Sequence, residues 1–132
     1  MRIIGFTLTK ISVERKEQIQ NQLKINQNID IKNLQKEKIP ISDNEALKIY
    51  FKFSIDYSDD AAKLEFEGSV LTLPDKEELK IIINSWKNRQ IPENIRAGLF
   101  NFIMSKCNIK ALSLEDDMAL PFHLPMPRIN SP

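Results

Sequence analysis

The sequence predicts an α+β fold: a four-stranded antiparallel sheet, then two helices packed on one face, then an extended proline-rich tail. Three observations carry that expectation. Residues 47–57 alternate strictly, with Leu47, Ile49, Phe51, Phe53, Ile55 and Tyr57 on one parity and Lys48, Lys52, Ser54 and Asp56 on the other. Only a half-buried strand, whose successive side chains point to opposite faces, makes sense of that pattern. A second alternating run comes next, and after it the apolar residues fall at helical spacing with no comparable strand pattern between. Strands first and helices after is the order of a sheet covered on one side.

Residues 2–13 carry Ile4, Phe6 and Leu8 on one parity and Ile3, Ile11 and Val13 on the other, which reads as a strand with two apolar faces. One face belongs to the core, so the second predicts cover from another chain or from the tail. Residues 14–20 are charged and fit either a helical turn or a loop. Leu23, Ile25, Ile29 and Ile31 share a parity, placing a second strand over 22–33. Lys36, Glu37, Lys38, Pro40 and the stretch from Ser42 to Asn44 form a polar connection to the long third strand.

The run Tyr57-Ser58-Asp59-Asp60 has turn chemistry. The fourth strand, 64–73, turns Leu64, Phe66, Gly68 and Val70 inward and Lys63, Glu65 and Glu67 outward. Gly68 marks a bulge or a close approach by a helix. Pro74 ends the strand, and Asp75 with Glu78 makes a capping box. Leu79, Ile82, Ile83 and Trp86 then give the stripe of the first helix. Residues 88–91 turn the chain, and Pro92 suits a helix start. Ile95, Leu99, Phe102, Ile103 and Cys107 give the second stripe, with Asn108 expected as its C-terminal cap. Beyond it, 111–114 is apolar and Glu115, Asp116 and Asp117 read as solvated. Prolines 121, 125 and 127 hold the tail, 119–132, near polyproline II.

Composition excludes several functions. A chain of 132 residues fits one domain and buries a core without disulfides or a structural metal. Nineteen basic against 18 acidic residues leave a net charge of +1, so no global field draws in nucleic acid or an anionic membrane. Cys107 stands alone as cysteine and reads as a buried hydrophobe in a reducing compartment. No apolar stretch is long enough for a membrane span, and residues 1–10 do not resemble a leader. A cytoplasmic location is the expectation.

Candidate chemistry is sparse. His123 is the single histidine, which leaves neither the ligands for a zinc site nor the base for a nucleophilic triad on a firm platform, so it reads as an ordinary tail residue. Glu65 and Glu67 share a strand face and could pair for acid–base work, but charges opposite a core row are more often a solvated face. Asp116 and Asp117 read the same way. Three scattered glycines form no phosphate loop, and Lys32, Lys36 and Lys38 are interrupted by acids without aromatic interleaving. Trp86 belongs to a core stripe. Phe122, Leu124 and Met126 differ: they alternate with prolines in a tail with no core of its own, so they cover this chain's own sheet or helices, or face another polypeptide.

Four strands, a connection, two helices and an apolar tail resemble the SecB-type export chaperones. The resemblance covers residue 46 to the C-terminus and extends to the first two strands. It is carried by the strand 48–57, the turn 58–60, the strand 64–73 with Glu67-Gly68, and the second helix leading into Lys110-Ala-Leu-Ser-Leu114. It implies dimers or dimers of dimers that hold unfolded polypeptides in apolar grooves without nucleotide or other cofactor, with a role in protein transport. The family's acidic C-terminal tail is missing, and a basic proline-rich segment around Arg128 stands in its place, which counts against docking to the export motor.

The expected function is therefore a non-enzymatic, homo-oligomeric holdase for unfolded or partly folded chains, without nucleic-acid or membrane partners. Its candidate contact residues are Phe6, Leu8, Tyr50, Phe122, Leu124 and Met126. Tyr50 is included as the aromatic on the polar face of the third strand. The alternative is an adaptor or structural subunit bound to one dedicated protein. A small-molecule enzyme built on Glu65 and Glu67 would need a concave pocket around them.

Overall fold

A computed structural model describes residues 1–40 and 45–127. The connection expected at Ser42 to Asn44 and the basic end around Arg128 lie outside the described residues. Four strands, β1 (Arg2–Arg15), β2 (Ile25–Lys38), β3 (Glu45–Tyr57) and β4 (Ala62–Leu73), precede helices α1 (Lys76–Trp86) and α2 (Glu93–Asp117). The strands form one sheet in the order β1-β4-β3-β2, every neighbouring pair antiparallel. The long alternating run thus lies in the sheet interior. Its inward row from Leu47 to Tyr57 is at most 3% exposed, because partners pair on both edges and helices cover the face.

The two-faced reading of β1 is corrected by bulges. Its register against β4 slips between Ile3 and Gly5 and again between Leu8 and Lys10. Each slip adds one unpaired residue and reverses the parity of the residues beyond it. Ile3, Phe6, Leu8, Ile11 and Val13 consequently sit opposite the inward row Thr72, Val70, Gly68, Phe66 and Leu64. Both apolar parities point the same way, and Ile4, the bulged residue, is left outside at 39% exposure. The second apolar face therefore shrinks to Ile4, while Ile11, on the helix-side row of this edge strand, stays 47% exposed.

The same device explains why β2 is longer than its alternation predicts. A slip between Ile31 and Asn33 moves the inward row from Ile25, Gln27, Ile29 and Ile31 to Leu34 and Lys36. β2 therefore runs on to Lys38, and Lys36, Glu37 and Lys38 belong to a strand rather than to the connection. All three bulges lie on the two edge strands, where bulges are commonest.

Gly68 is approached by a strand, not a helix. A Cβ there would stand 2.3 Å from the Thr7 carbonyl oxygen and 3.1 Å from the Leu8 Cα, next to the second bulge of β1. Residues 16–24 cross the end of the sheet from one edge to the other. They are fixed to the β3–β4 turn by Lys16 N–H donating to the Ala61 carbonyl (2.9 Å) and Ser58 N–H donating to the Lys24 carbonyl (2.8 Å). Asp59 and Asp60 adopt left-handed backbone in that turn, a conformation short acidic side chains tolerate.

Both halves of the Asp75/Glu78 capping box form at the start of α1. Ile82 is buried, and Leu79 and Trp86 pack against the core. In α2 the buried positions are Leu99, Ile103, Cys107, Ala111 and Glu115, every fourth residue. This stripe overrides Asn108 as a terminus, because Ala111 and Leu114 continue to pack and the helix gains more by extending. It ends instead in a Schellman motif: Ala119 N–H donates to the Asp116 carbonyl and Leu120 N–H to the Glu115 carbonyl, with Ala119 left-handed at φ 51°.

Candidate functional site

The six candidate contact residues fall in three places. Phe6 and Leu8 pack against the core; the Phe6 ring stacks on Phe51 at 5.6 Å and meets Phe102 edge-on at 5.9 Å. Tyr50 lies on the opposite, helix-free face, where its hydroxyl donates to Gln35 Oε1 (3.0 Å) and Lys48 sits over its ring. Phe122 and Met126 are exposed at 40% and 49% in the tail, and Leu124 is half-buried. Phe122, Leu124 and Met126 share one short segment of the tail.

The helix-free face neutralises itself. Glu65 accepts from Lys52 at 2.7 Å and Lys10 at 2.9 Å. The Lys52 contact, then the Lys10 contact, hold the Glu65 carboxyl down to about 2. A carboxylate kept ionised by two ammonium groups is no general acid. Neither it nor Glu67 lines the cleft beside α1, the one at the β3–β4 turn or the one beside Met1.

The most connected polar site lies where α2 ends, and sequence reasoning misses it. Glu115 is fully buried. Its carboxylate accepts from the Tyr57 hydroxyl (3.1 Å) and from His123 N–H (3.2 Å). His123 Nδ1 stands 2.9 Å from both of its oxygens. The imidazole is itself buried, with its side chain 1% exposed, so His123 is no ordinary tail residue. Its Nε2 lies 2.8 Å from Asn108 Oδ1, which also accepts from Gln27 Nε2 at 3.2 Å.

The Tyr57 hydroxyl makes a second, short contact with the Pro121 carbonyl oxygen. Burial, and then the charge of Glu115 and its hydrogen bond, push the Tyr57 hydroxyl well above its usual range. Arg15, at the end of β1, donates to the Met118 and Ala119 carbonyls at 2.8 and 3.1 Å. Residues from β1, β2, β3 and α2 thus converge on the first turn of the tail and fix it.

The expectation that Glu115 belongs to a solvated acidic run is contradicted by its burial. The signal that reveals it is spacing: Leu99, Ile103, Cys107, Ala111 and Glu115 share one stripe, and a carboxylate on a core stripe requires partners. Nothing in the sequence marks Tyr57 or Asn108 as those partners.

A cleft of about 430 Å³ opens beside α1 and is lined by Lys36, Pro74, Leu79, Lys80, Ile83 and Lys87, among others. Its apolar side chains are bordered by charges of both signs, the Glu45 and Asp75 carboxylates as well as the lysine ammonium groups. Among the described residues, no group of His, Cys, Asp and Glu is placed to hold a metal ion. Among the same residues, no helix is long and apolar enough to cross a membrane.

No family model matches the sequence, and no curated protein does. The fold is similar to a SecB-like chaperone of Mycobacterium tuberculosis, whose structure is in complex with a ChAD peptide from the HigA1 antitoxin. The TM-score is 0.56 at 13% identity, over 98% of this chain and 89% of that one. At this identity the likeness establishes a shared fold.

Proposed function

We propose that this protein is a SecB-like polypeptide-binding chaperone that keeps unfolded or partly folded chains soluble without nucleotide. The carrying observation is the correspondence, over nearly the whole chain, to a chaperone fold whose structure holds a peptide. Fold alone does not fix function, and local features of this chain support the reading. Phe122 and Met126 are exposed on a segment anchored at its first turn. The cleft beside α1 offers a second apolar lining. Both edge strands are 14 residues long and leave backbone groups unpaired within the sheet. The exposure of Ile4 and Ile11 along the β1 edge supports a homo-oligomer, paired through that edge, that extends the binding surface.

A dedicated-partner reading is favoured by one observation: the peptide in the similar structure comes from a single antitoxin. Suppression of aggregation of several unrelated unfolding proteins separates the two, with mass measured by light scattering on the same sample. Suppression that is lost in the Phe122→Ser/Leu124→Ser double variant supports the holdase. Failure on every unrelated client, in a sample that is folded and of defined mass, overturns it in favour of a dedicated partner.

A further inference from the structure

We infer that Phe122 is a pre-set anchor for the apolar side chains of unfolded polypeptide, and that Tyr57 and Glu115 are its positioning residues. The inference rests on the polypeptide-binding reading and gives that activity a place on the chain. From Met118 to His123 the backbone is tied down step by step. Arg15 holds the Met118 and Ala119 carbonyls, and Leu120 is buried, its N–H bonded to the Glu115 carbonyl. The Tyr57 hydroxyl meets the Pro121 carbonyl oxygen, and His123 gives its backbone N–H to the Glu115 carboxylate. The His123 ring lies against Glu115 and Asn108. Phe122 stands between the last two ties and is left 40% exposed.

The two side chains that hold Phe122 cannot touch a client themselves, since Tyr57 is 3% exposed and Glu115 is fully buried. Buried polar groups persist where their partners are in place, and the partners here include the backbone groups on either side of an exposed aromatic. A side chain held in this way loses little freedom when it binds, which is the condition for an anchor that carries much of an affinity. The chemistry of the partner follows from the segment. Residues 118–127 contain no Lys, Arg, Asp or Glu, so the contact is apolar and tolerant of client sequence. Pro121, Pro125 and Pro127 offer no N–H. This segment therefore does not take a client as an added strand, and holds it through side chains.

The test is the affinity of the intact protein for reduced and carboxymethylated lysozyme, which stays unfolded, by fluorescence anisotropy of the labelled client under conditions where urea curves show every variant folded. Phe122→Ser should weaken binding roughly tenfold or more. Met126→Ser should weaken it less than about threefold, although Met126 is the more exposed at 49%, because it lies beyond the tie at His123. Tyr57→Phe deletes one buried hydroxyl and no exposed atom, and should weaken binding roughly tenfold, the affinity equivalent of ordering one residue's backbone. Glu115→Leu, of similar volume and without an acceptor, carries the same expectation where Tyr57→Phe is too unstable. The double variant Tyr57→Phe/Phe122→Ser separates positioning from general structure. If Tyr57 acts through Phe122, the double variant binds within about twofold of Phe122→Ser alone, whereas independent effects multiply.

Unchanged binding by folded Tyr57→Phe, beside a parent that does bind, would overturn the inference and leave the holdase reading standing. So would losses that multiply in the double variant, or a larger loss in Met126→Ser than in Phe122→Ser. A folded parent that does not bind the unfolded lysozyme at all overturns the holdase reading and the inference together.

Discussion

Replacing Gly68 by alanine tests the register of the sheet. The new Cβ would stand 2.3 Å from the Thr7 carbonyl oxygen, a separation that must open to at least 3.0 Å before it resembles any real contact. Thr7 O is backbone, so β1 itself must retreat by about 0.7 Å. A ladder bond of about 2.9 Å stretched that far ceases to be a hydrogen bond. One or two bonds at about 0.5–1.5 kcal/mol each, with overpacking of about 1–3 kcal/mol, give a destabilisation of roughly 2–4 kcal/mol. For a chain of this size the melting temperature should fall on the order of 10 °C. Gly98→Ala is the control: it is helical, with nothing within 4 Å of a new Cβ, and should gain about 0.5–1 kcal/mol. Urea unfolding of both variants measures the difference. A Gly68→Ala protein within about 0.5 kcal/mol of its parent, the scatter of an ordinary surface substitution, would refute the close approach of β1 and the bulge that creates it.

Three further outcomes are expected. Tyr57→Phe removes a donor from a buried carboxylate and should cost about 1–3 kcal/mol in urea unfolding; a neutral result would mean that Glu115 does not depend on it. Glu65, held down to about 2 by Lys52 and Lys10, has a folded value below its unfolded one of about 4.3. Its contribution is therefore present above the unfolded value and lost as pH falls through about 2. Glu65→Gln should flatten the acid limb of stability over that window, and an unchanged slope in a series of urea midpoints would count against the Lys10–Glu65–Lys52 cluster. Burial pushes the Cys107 thiol up to about 12, so iodoacetamide should label the native protein only as fast as it opens. Rapid labelling without denaturant would contradict the position of α2 on the sheet.

The legibility of each element depends on how its partners impose a pattern. β3 is plain because it pairs on both sides, faces β4 without a slip and shows one face to the helices, so strict alternation is the condition for burying it. The capping box of α1 is plain because its partners lie three residues apart. β1 misleads because a bulge reverses parity without changing composition: Ile3 and Phe6 look like opposite faces until the slip at Gly5 is known. β2 looks shorter than it is for the same reason, since its alternation breaks at its own slip. The end of α2 gives no signal, because its left-handed position is held by Ala119 where a glycine or asparagine would have announced it.

For the candidate site the division is sharper. Composition and alternation by themselves determined an α+β chain of two layers, the apolar character of Phe122, Leu124 and Met126, and the shortage of groups for catalysis. The tertiary structure alone decided that Glu115 and His123 are buried against each other and against Tyr57 and Asn108. Those partners lie 8, 58 and 15 residues apart along the chain in their respective contacts. Periodicity reports which face of its own element a residue occupies, and a carboxylate or an imidazole in a polar run carries no mark of the partner it will meet. That is fixed only when the fold brings distant segments together and removes the water between them.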